Sequence, residues 1–281
     1  MTASNSFHKR LTVREQEANS LLCVGLDPVV TKLPAGISST ADGVADFCIE
    51  IINATKDLVS SYKPNLPFYL SLGGDGLKAL RRVREAIPAE IPMVLDCKVN
   101  DLGDTAKAWV ETAFDYIEAD AIVVAPYMGE DALAPYFNRE NKGVIVLVKT
   151  SNPGSGDLQD LTLENGQPLF MHVAERCREW NKTYPADIGM VVGATWPAQL
   201  QAVRDLCPDQ PILLPGLGAQ GGDVQASVQA GADAHGGSLM CSSSRGILYA
   251  SSSKDFAEAA RAQALSLRNE INQHRPGSAG A

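Results

Sequence analysis

The chain has 281 residues, 45% of them hydrophobic, and a formal net charge of −9. That length fits one large α/β domain, since such barrels commonly reach ~250 residues around a single core. The acidic balance argues against nucleic acid or an anionic membrane surface as the main partner, and it means that an anionic small substrate needs a local basic pocket.

In chain order, Ser6-Phe7-His8-Lys9-Arg10 followed by Glu15-Gln16-Glu17 has no apolar signal core, and the pattern predicts an extra N-terminal helix over 6–18. Short β-branched or aliphatic runs then recur at 21–26, 59–63, 93–98, 121–125, 144–148, 188–192, 212–214 and 238–242. Amphipathic helices are predicted between and after them, near 42–57, 74–87, 104–118, 130–138, 167–183, 197–206, 222–230 and 254–272. Each apolar run is too short for a helix and too continuous for a half-exposed strand, as in a parallel sheet covered on both faces. Eight βα units predict an α/β fold, a (β/α)8 TIM barrel forming one domain over 1–275. An open doubly wound sheet is the alternative that periodicity alone leaves standing. Residues 151–167, rich in Ser, Asn, Gly and Asp, show no pattern and read as a functional or disordered loop, and 276–281 read as a flexible tail. No apolar run approaches the ~20 residues of a membrane span. The six cysteines are scattered without a CxxC pair, which predicts reduced thiols in a cytoplasmic protein.

On a barrel, active sites form where strands end and βα loops begin. Those points hold Asp27 in Gly25-Leu26-Asp27-Pro28, Lys63 in Tyr62-Lys63-Pro64-Asn65, and Asp96-Cys97-Lys98-Val99-Asn100-Asp101-Leu102. Further on come Thr150-Ser151-Asn152-Pro153-Gly154, Pro215-Gly216-Leu217-Gly218-Ala219-Gln220-Gly221-Gly222 and Ser242-Ser243-Ser244-Arg245-Gly246. Strand alternation predicts that Asp96 and Lys98 share one face, with Cys97 on the other. Buried charge costs several kcal/mol per ion unless paired. Asp96, Lys98, Asp101 and the nearby Lys63 exceed one structural ion pair, so the cluster reads as a charge array built to act on a bound molecule. The Gly-rich loop before the predicted 222–230 helix offers backbone N–H groups and a helix dipole to a phosphate, and Arg245 a bidentate grip. Asp27 and Lys63 taken singly read equally as turn or surface charges; taken together they suit substrate hydroxyls. Thr150-Ser151-Asn152 is either a polar loop start or a reader of a heterocycle edge. His8, His172, His235 and His274 show no ligand spacing, so no metal site is expected. Trp109, Trp180 and Trp196 fit packing roles, and the Gly218–Gly222 cluster lacks a dinucleotide context.

With Asp104-Thr105 and Val192-Gly193-Ala194-Thr195 added, these motifs run in an order that resembles the orotidine 5′-monophosphate decarboxylase family, over roughly residues 6–272. Within it the chain is most similar to the larger bacterial-type branch, which has a longer loop after strand five. The resemblance implies cofactor-free decarboxylation of orotidine 5′-monophosphate to UMP and CO2, the last step of de novo pyrimidine nucleotide synthesis. Under it, Lys98 matches the lysine that protonates carbon-6, and Asp96 the carboxylate beside the leaving CO2. Asp101 and Thr105 match residues that reach across a homodimer interface into the partner's site. Lys63 and Asp27 match holders of the ribose hydroxyls, and Ser151 the pyrimidine-edge contact. Gln220 and Arg245 match the phosphate grip, and Pro215 a pocket wall. Val99-Asn100 lacks the basic residue often found after the lysine, Leu70 stands where an acidic one is common, and Ser242 where an asparagine is frequent. The rival readings are a Mg-dependent sugar-phosphate decarboxylase or aldolase on a sister barrel, and a non-catalytic nucleotide-binding barrel.

Overall fold

The computed structural model describes residues 6–217 and 222–276. Helix α1 (Phe7–Glu17) opens the chain, with Ser6 as its N-cap, and leads into β1 (Leu22–Leu26). Then follow α2 (Ala41–Thr55), β2 (Ser61–Pro64), α3 (Leu66–Leu70), α4 (Gly73–Ala86), β3 (Val94–Val99), α5 (Gly103–Glu111), β4 (Ala121–Val124), α6 (Glu130–Phe137) and β5 (Gly143–Lys149). The second half holds α7 (Gly156–Gln159), α8 (Leu169–Thr183), β6 (Asp187–Val192), α9 (Pro197–Leu206), β7 (Ile212–Pro215), α10 (Val224–Gly231), β8 (Leu239–Ser243), α11 (Arg245–Leu248) and α12 (Phe256–Gln273).

All eight strands are parallel, in the order β2-β1-β8-β7-β6-β5-β4-β3. The two ends meet: Tyr62 N–H donates to the Pro92 carbonyl at 3.0 Å, and parallel bridges join Tyr62 to Met93 and Asn65 to Asp96. Every neighbour is therefore consecutive in the chain or closes the ring, and the open doubly wound alternative falls, because it needs a point where strand order reverses.

Two apolar layers hold the barrel. Between strands and helices lies the larger one, including Val24, Leu95, Val146 and Leu214 from the sheet and Phe47, Leu80, Leu133 and Leu200 from the helices. Inside the ring, Cys23, Val94, Ala121, Val123, Ile145, Val191, Leu213 and Met240 pack together with Phe7 and Leu11 of α1. A Cβ on Gly143, the first residue of β5, would fall 2.5 Å from the Phe7 ring. Helix α1 is thus a plug in the N-terminal mouth of the barrel, which leaves the opposite mouth for a site.

Several predicted elements change in detail. Helix α5 gives way to a π turn at Thr112–Tyr116 instead of running on to 118. The patternless stretch after β5 is built: a 3-10 turn (Pro153–Ser155), then α7, then an antiparallel bridge between Thr162 and Pro168. The tail reading falls on 277–281, which lie outside the described residues.

Candidate active site

The C-terminal mouth opens into a cavity of about 620 Å³, lined among others by Asp27, Lys63, Asn65, Phe68, Asp96, Lys98, Ser151, Pro215, Ser244 and Arg245. Its floor is apolar where Val123, Leu147, Val191 and Leu213 end the interior layer.

Charge is concentrated on one wall. Lys63 Nζ donates to Asp96 Oδ2 at 3.0 Å and lies 3.8 Å from Asp27 Oδ1; Lys98 Nζ donates to Asp96 Oδ1 at 2.5 Å. Asp96 is therefore held between two ammonium groups, and Lys63 between two carboxylates. The side chains of Lys63 and Asp96 are 6% and 8% exposed, that of Lys98 47%. Burial alone depresses an ammonium, but Asp27 and Asp96 outweigh it and hold Lys63 above the ordinary lysine value. Burial likewise pushes the Asp96 carboxyl up, yet Lys63 and Lys98 override it and leave the group below its usual range. Asp27 Oδ2 accepts from Ser244 Oγ at 2.6 Å, while its buried Oδ1 accepts no hydrogen bond among the described residues. The close approach needs Gly25, since a Cβ there would lie 1.9 Å from Ser244 Oγ.

The pleat does not aim Lys98. Between the Asp96–Val123 and Val99–Val124 pairs, β3 holds two extra residues opposite one step of β4, and Lys98 takes φ +49°. The bulge keeps the expected facing all the same: Asp96 and Lys98 both line the cavity, while Cys97 packs against the outer apolar layer. A non-glycine residue in this region costs of order 1–3 kcal/mol, and such strain gathers where function fixes a side chain.

Not every predicted residue joins the wall. Asp101 accepts from the Leu102 N–H at 2.8 Å and makes no ion pair with either lysine of its own chain. Thr105 is exposed and lines a separate apolar hollow of about 220 Å³ with Leu66, Leu70, Leu77, Ala108, Trp109 and Thr112. Gln220 lies outside the described residues. The dipole expected to face an anion from the 222–230 helix is already occupied: the Asp223 carboxylate caps α10 by accepting from the Ala226 N–H at 2.9 Å. Arg245 is exposed at the cavity edge without an ion-pair partner among the described residues. Sequence reasoning passed over Lys149, although it ends its strand just as Lys63 and Lys98 nearly end theirs, and it gave Trp196 only a packing role.

A parallel barrel with an ammonium–carboxylate chain at its C-terminal mouth and a free guanidinium at the rim defines a class: (β/α)8 enzymes acting on anionic small molecules. The chain belongs to the orotidine 5′-phosphate decarboxylase / HUMPS family, whose model matches residues 20–262. It is 46% identical over 276 residues to an orotidine 5′-phosphate decarboxylase of Thermomicrobium roseum, covering 98% of each chain. A relative of the same description from Ralstonia nicotianae is 46% identical over 272 residues, covering 96% of this chain and 99% of its own. Among solved structures, the OMP decarboxylase of Leishmania donovani superposes with a TM-score of 0.85 at 40% identity, over 96% of this chain and 99% of that one.

Proposed function

We infer that the chain is a carboxy-lyase that converts orotidine 5′-monophosphate to UMP and CO2, with Lys98 as proton donor. The observation that carries this is the Lys63–Asp96–Lys98 run, at 3.0 and 2.5 Å, facing one cavity in a chain whose curated relatives bear that name. The bond from carbon-6 to the carboxylate breaks with both electrons left on carbon-6, and CO2 departs. Lys98 then gives its proton to carbon-6, and solvent restores the ammonium. The carbanion has little delocalisation, so the charge array supplies much of the roughly 8–23 kcal/mol by which enzymes lower barriers. Lys98 stabilises charge as it develops. Asp96 beside the substrate carboxylate raises the ground state and is relieved as CO2 leaves.

The remaining roles are assigned from the cavity lining and, for Gln220, from the family resemblance alone. Lys63 and the open Oδ1 of Asp27 take the ribose hydroxyls, Ser151 the pyrimidine edge, Pro215 a wall, and Arg245 with Gln220 the phosphate. Remote phosphate binding holds the ring in this unfavourable setting. Asp101 and Thr105 serve the site of a second copy: they stand away from the lysines of their own chain, beside half-exposed Leu102 and Leu70 and the Trp109 hollow. A homodimer that buries this apolar edge brings each Asp101 to its partner's lysines. A cytoplasmic location suits the six free thiols, and no helix among the described residues is long and apolar enough to cross a membrane.

The test is the ultraviolet absorbance loss on orotidine 5′-monophosphate, run in EDTA to separate this reaction from Mg-dependent sugar-phosphate chemistry. Turnover is expected, and its absence overturns the reading. Lys98→Ala is expected to lower kcat about a thousand-fold with little loss of UMP affinity. Arg245→Ala is expected to raise KM roughly 10- to 100-fold, the worth of lost bonds to a charged group, with kcat largely kept. Near-normal turnover in Lys98→Ala would show that another group donates the proton.

A further inference from the structure

Lys149 ends β5 with its side chain fully buried (0% exposed), yet it points away from the cavity. A register shift between Leu147 and Lys149 turns it outward. There its ammonium donates to both oxygens of Asp160, at 2.7 and 2.8 Å, and to Ser155 Oγ at 3.0 Å. It also lies 4.8 Å from the centre of the Trp196 ring. The same indole donates Nε1–H to the Thr150 carbonyl at 2.9 Å, and Gln159 Oε1 accepts the Thr150 N–H at 2.9 Å. Both partners on the loop, Asp160 and Gln159, belong to the stretch inserted after β5. Thr150 is thus gripped at its carbonyl and its N–H, one residue before Ser151. From below, the backbone of Gly193 packs so closely that a Cβ there would fall 2.8 Å from Ser151 N, Cα and Cβ. A buried ammonium is costly to leave unpaired, so Lys149 holds the loop down rather than merely touching it.

We propose that Lys149, with Asp160 and Trp196, is a positioning unit, a clamp on the segment after β5 that fixes Ser151 at the edge of the pyrimidine. The inference rests on the reading of Ser151 as the base contact. It is tested on the full chain by measuring kcat and KM with orotidine 5′-monophosphate, and dissociation constants for UMP and for ribose 5-phosphate, which has no base. Lys149→Met and Asp160→Asn are expected to weaken UMP roughly ten- to hundred-fold, as misplaced contacts do, and to leave ribose 5-phosphate unchanged. Lys149→Arg, which keeps the charge and can pair with Asp160, is expected to recover most of the loss. Asp160→Asn keeps an amide oxygen that can accept from Lys149 at a half-exposed position, so it is the variant to read if Lys149→Met does not fold. Unchanged UMP affinity in Asp160→Asn overturns the proposal, as does an equal loss for ribose 5-phosphate, which marks a general structural defect. Ser151→Ala run alongside separates the two levels. If it weakens UMP while Asp160→Asn does not, only the clamp fails; if it leaves UMP affinity intact, the base contact and the clamp fail together.

Discussion

Lys63 decides the ionisation of the site, because it is the buried cation shared by Asp27 and Asp96. Replacing it in Lys63→Met leaves buried Asp96 and partly buried Asp27 with one half-exposed ammonium near them, and breaking a buried pair costs roughly 3–5 kcal/mol. The sign with pH follows from the shifts. Asp96 sits below its ordinary 3.8 when folded, so its pairing contributes stability above that value and loses it as pH falls through the lowered one. Lys63 sits above 10.5, so its contribution is full below that value and is lost only as pH rises through the folded one. The difference in urea-unfolding free energy between wild type and Lys63→Met is therefore expected to be full near neutral pH and to shrink as pH falls through 3.8; a difference that grows on acidification contradicts the assignment. The residue types were legible in sequence because Lys63, Asp96 and Lys98 stand at or near the ends of apolar runs, where charge has no packing purpose. The shared facing of Lys98 and Asp96 was legible too, but the bulge at φ +49° that carries it was not, because nothing in the local sequence marks a register shift. Lys149 was missed for a related reason: its charge is spent beneath a loop whose own sequence carries no period.

At the scale of elements, most strands were readable because they are short, largely apolar runs buried on both faces, and the long helices because about four turns repeat their period. Helices α3, α7 and α11 have five, four and four residues, too few to show a 3.6-residue repeat. The plug was legible as a helix but not as a plug, since nothing local to Phe7 and Leu11 says that they enter the ring. That placement has a measurable consequence. Phe7 is fully buried against the interior layer at the end of the barrel opposite the site. Phe7→Ala is expected to lower the unfolding free energy by about 3–5 kcal/mol, the usual result of emptying an aromatic core position. Since the charge array hangs from strand ends at the other mouth, KM is expected to hold in the same variant at a temperature where it stays folded. Unchanged stability in urea would show that α1 lies on the barrel rather than in it.

Over the whole molecule the net charge is −9, yet Lys63, Lys98 and Arg245 all face one cavity, which gives a nucleotide anion local attraction against the overall field. Within one chain that array stops at Lys98 and leaves Asp101 on the outside, beside an apolar edge too exposed to be explained by the barrel's own packing. The proposed two-fold dimer would account for both, since an isologous interface would return each subunit's Asp101 to the other's lysines. The arrangement can be tested by mixing Lys98→Ala and Asp101→Asn, each expected to be nearly inactive alone, after unfolding and joint refolding. In a hybrid dimer one site combines both lesions, while the other pairs an intact Lys98 with the intact Asp101 of its neighbour. Random pairing of equal amounts makes half the dimers hybrid, so about a quarter of wild-type activity is expected to return. If Asp101 acts on its own chain, every site in the mixture keeps one lesion and none returns.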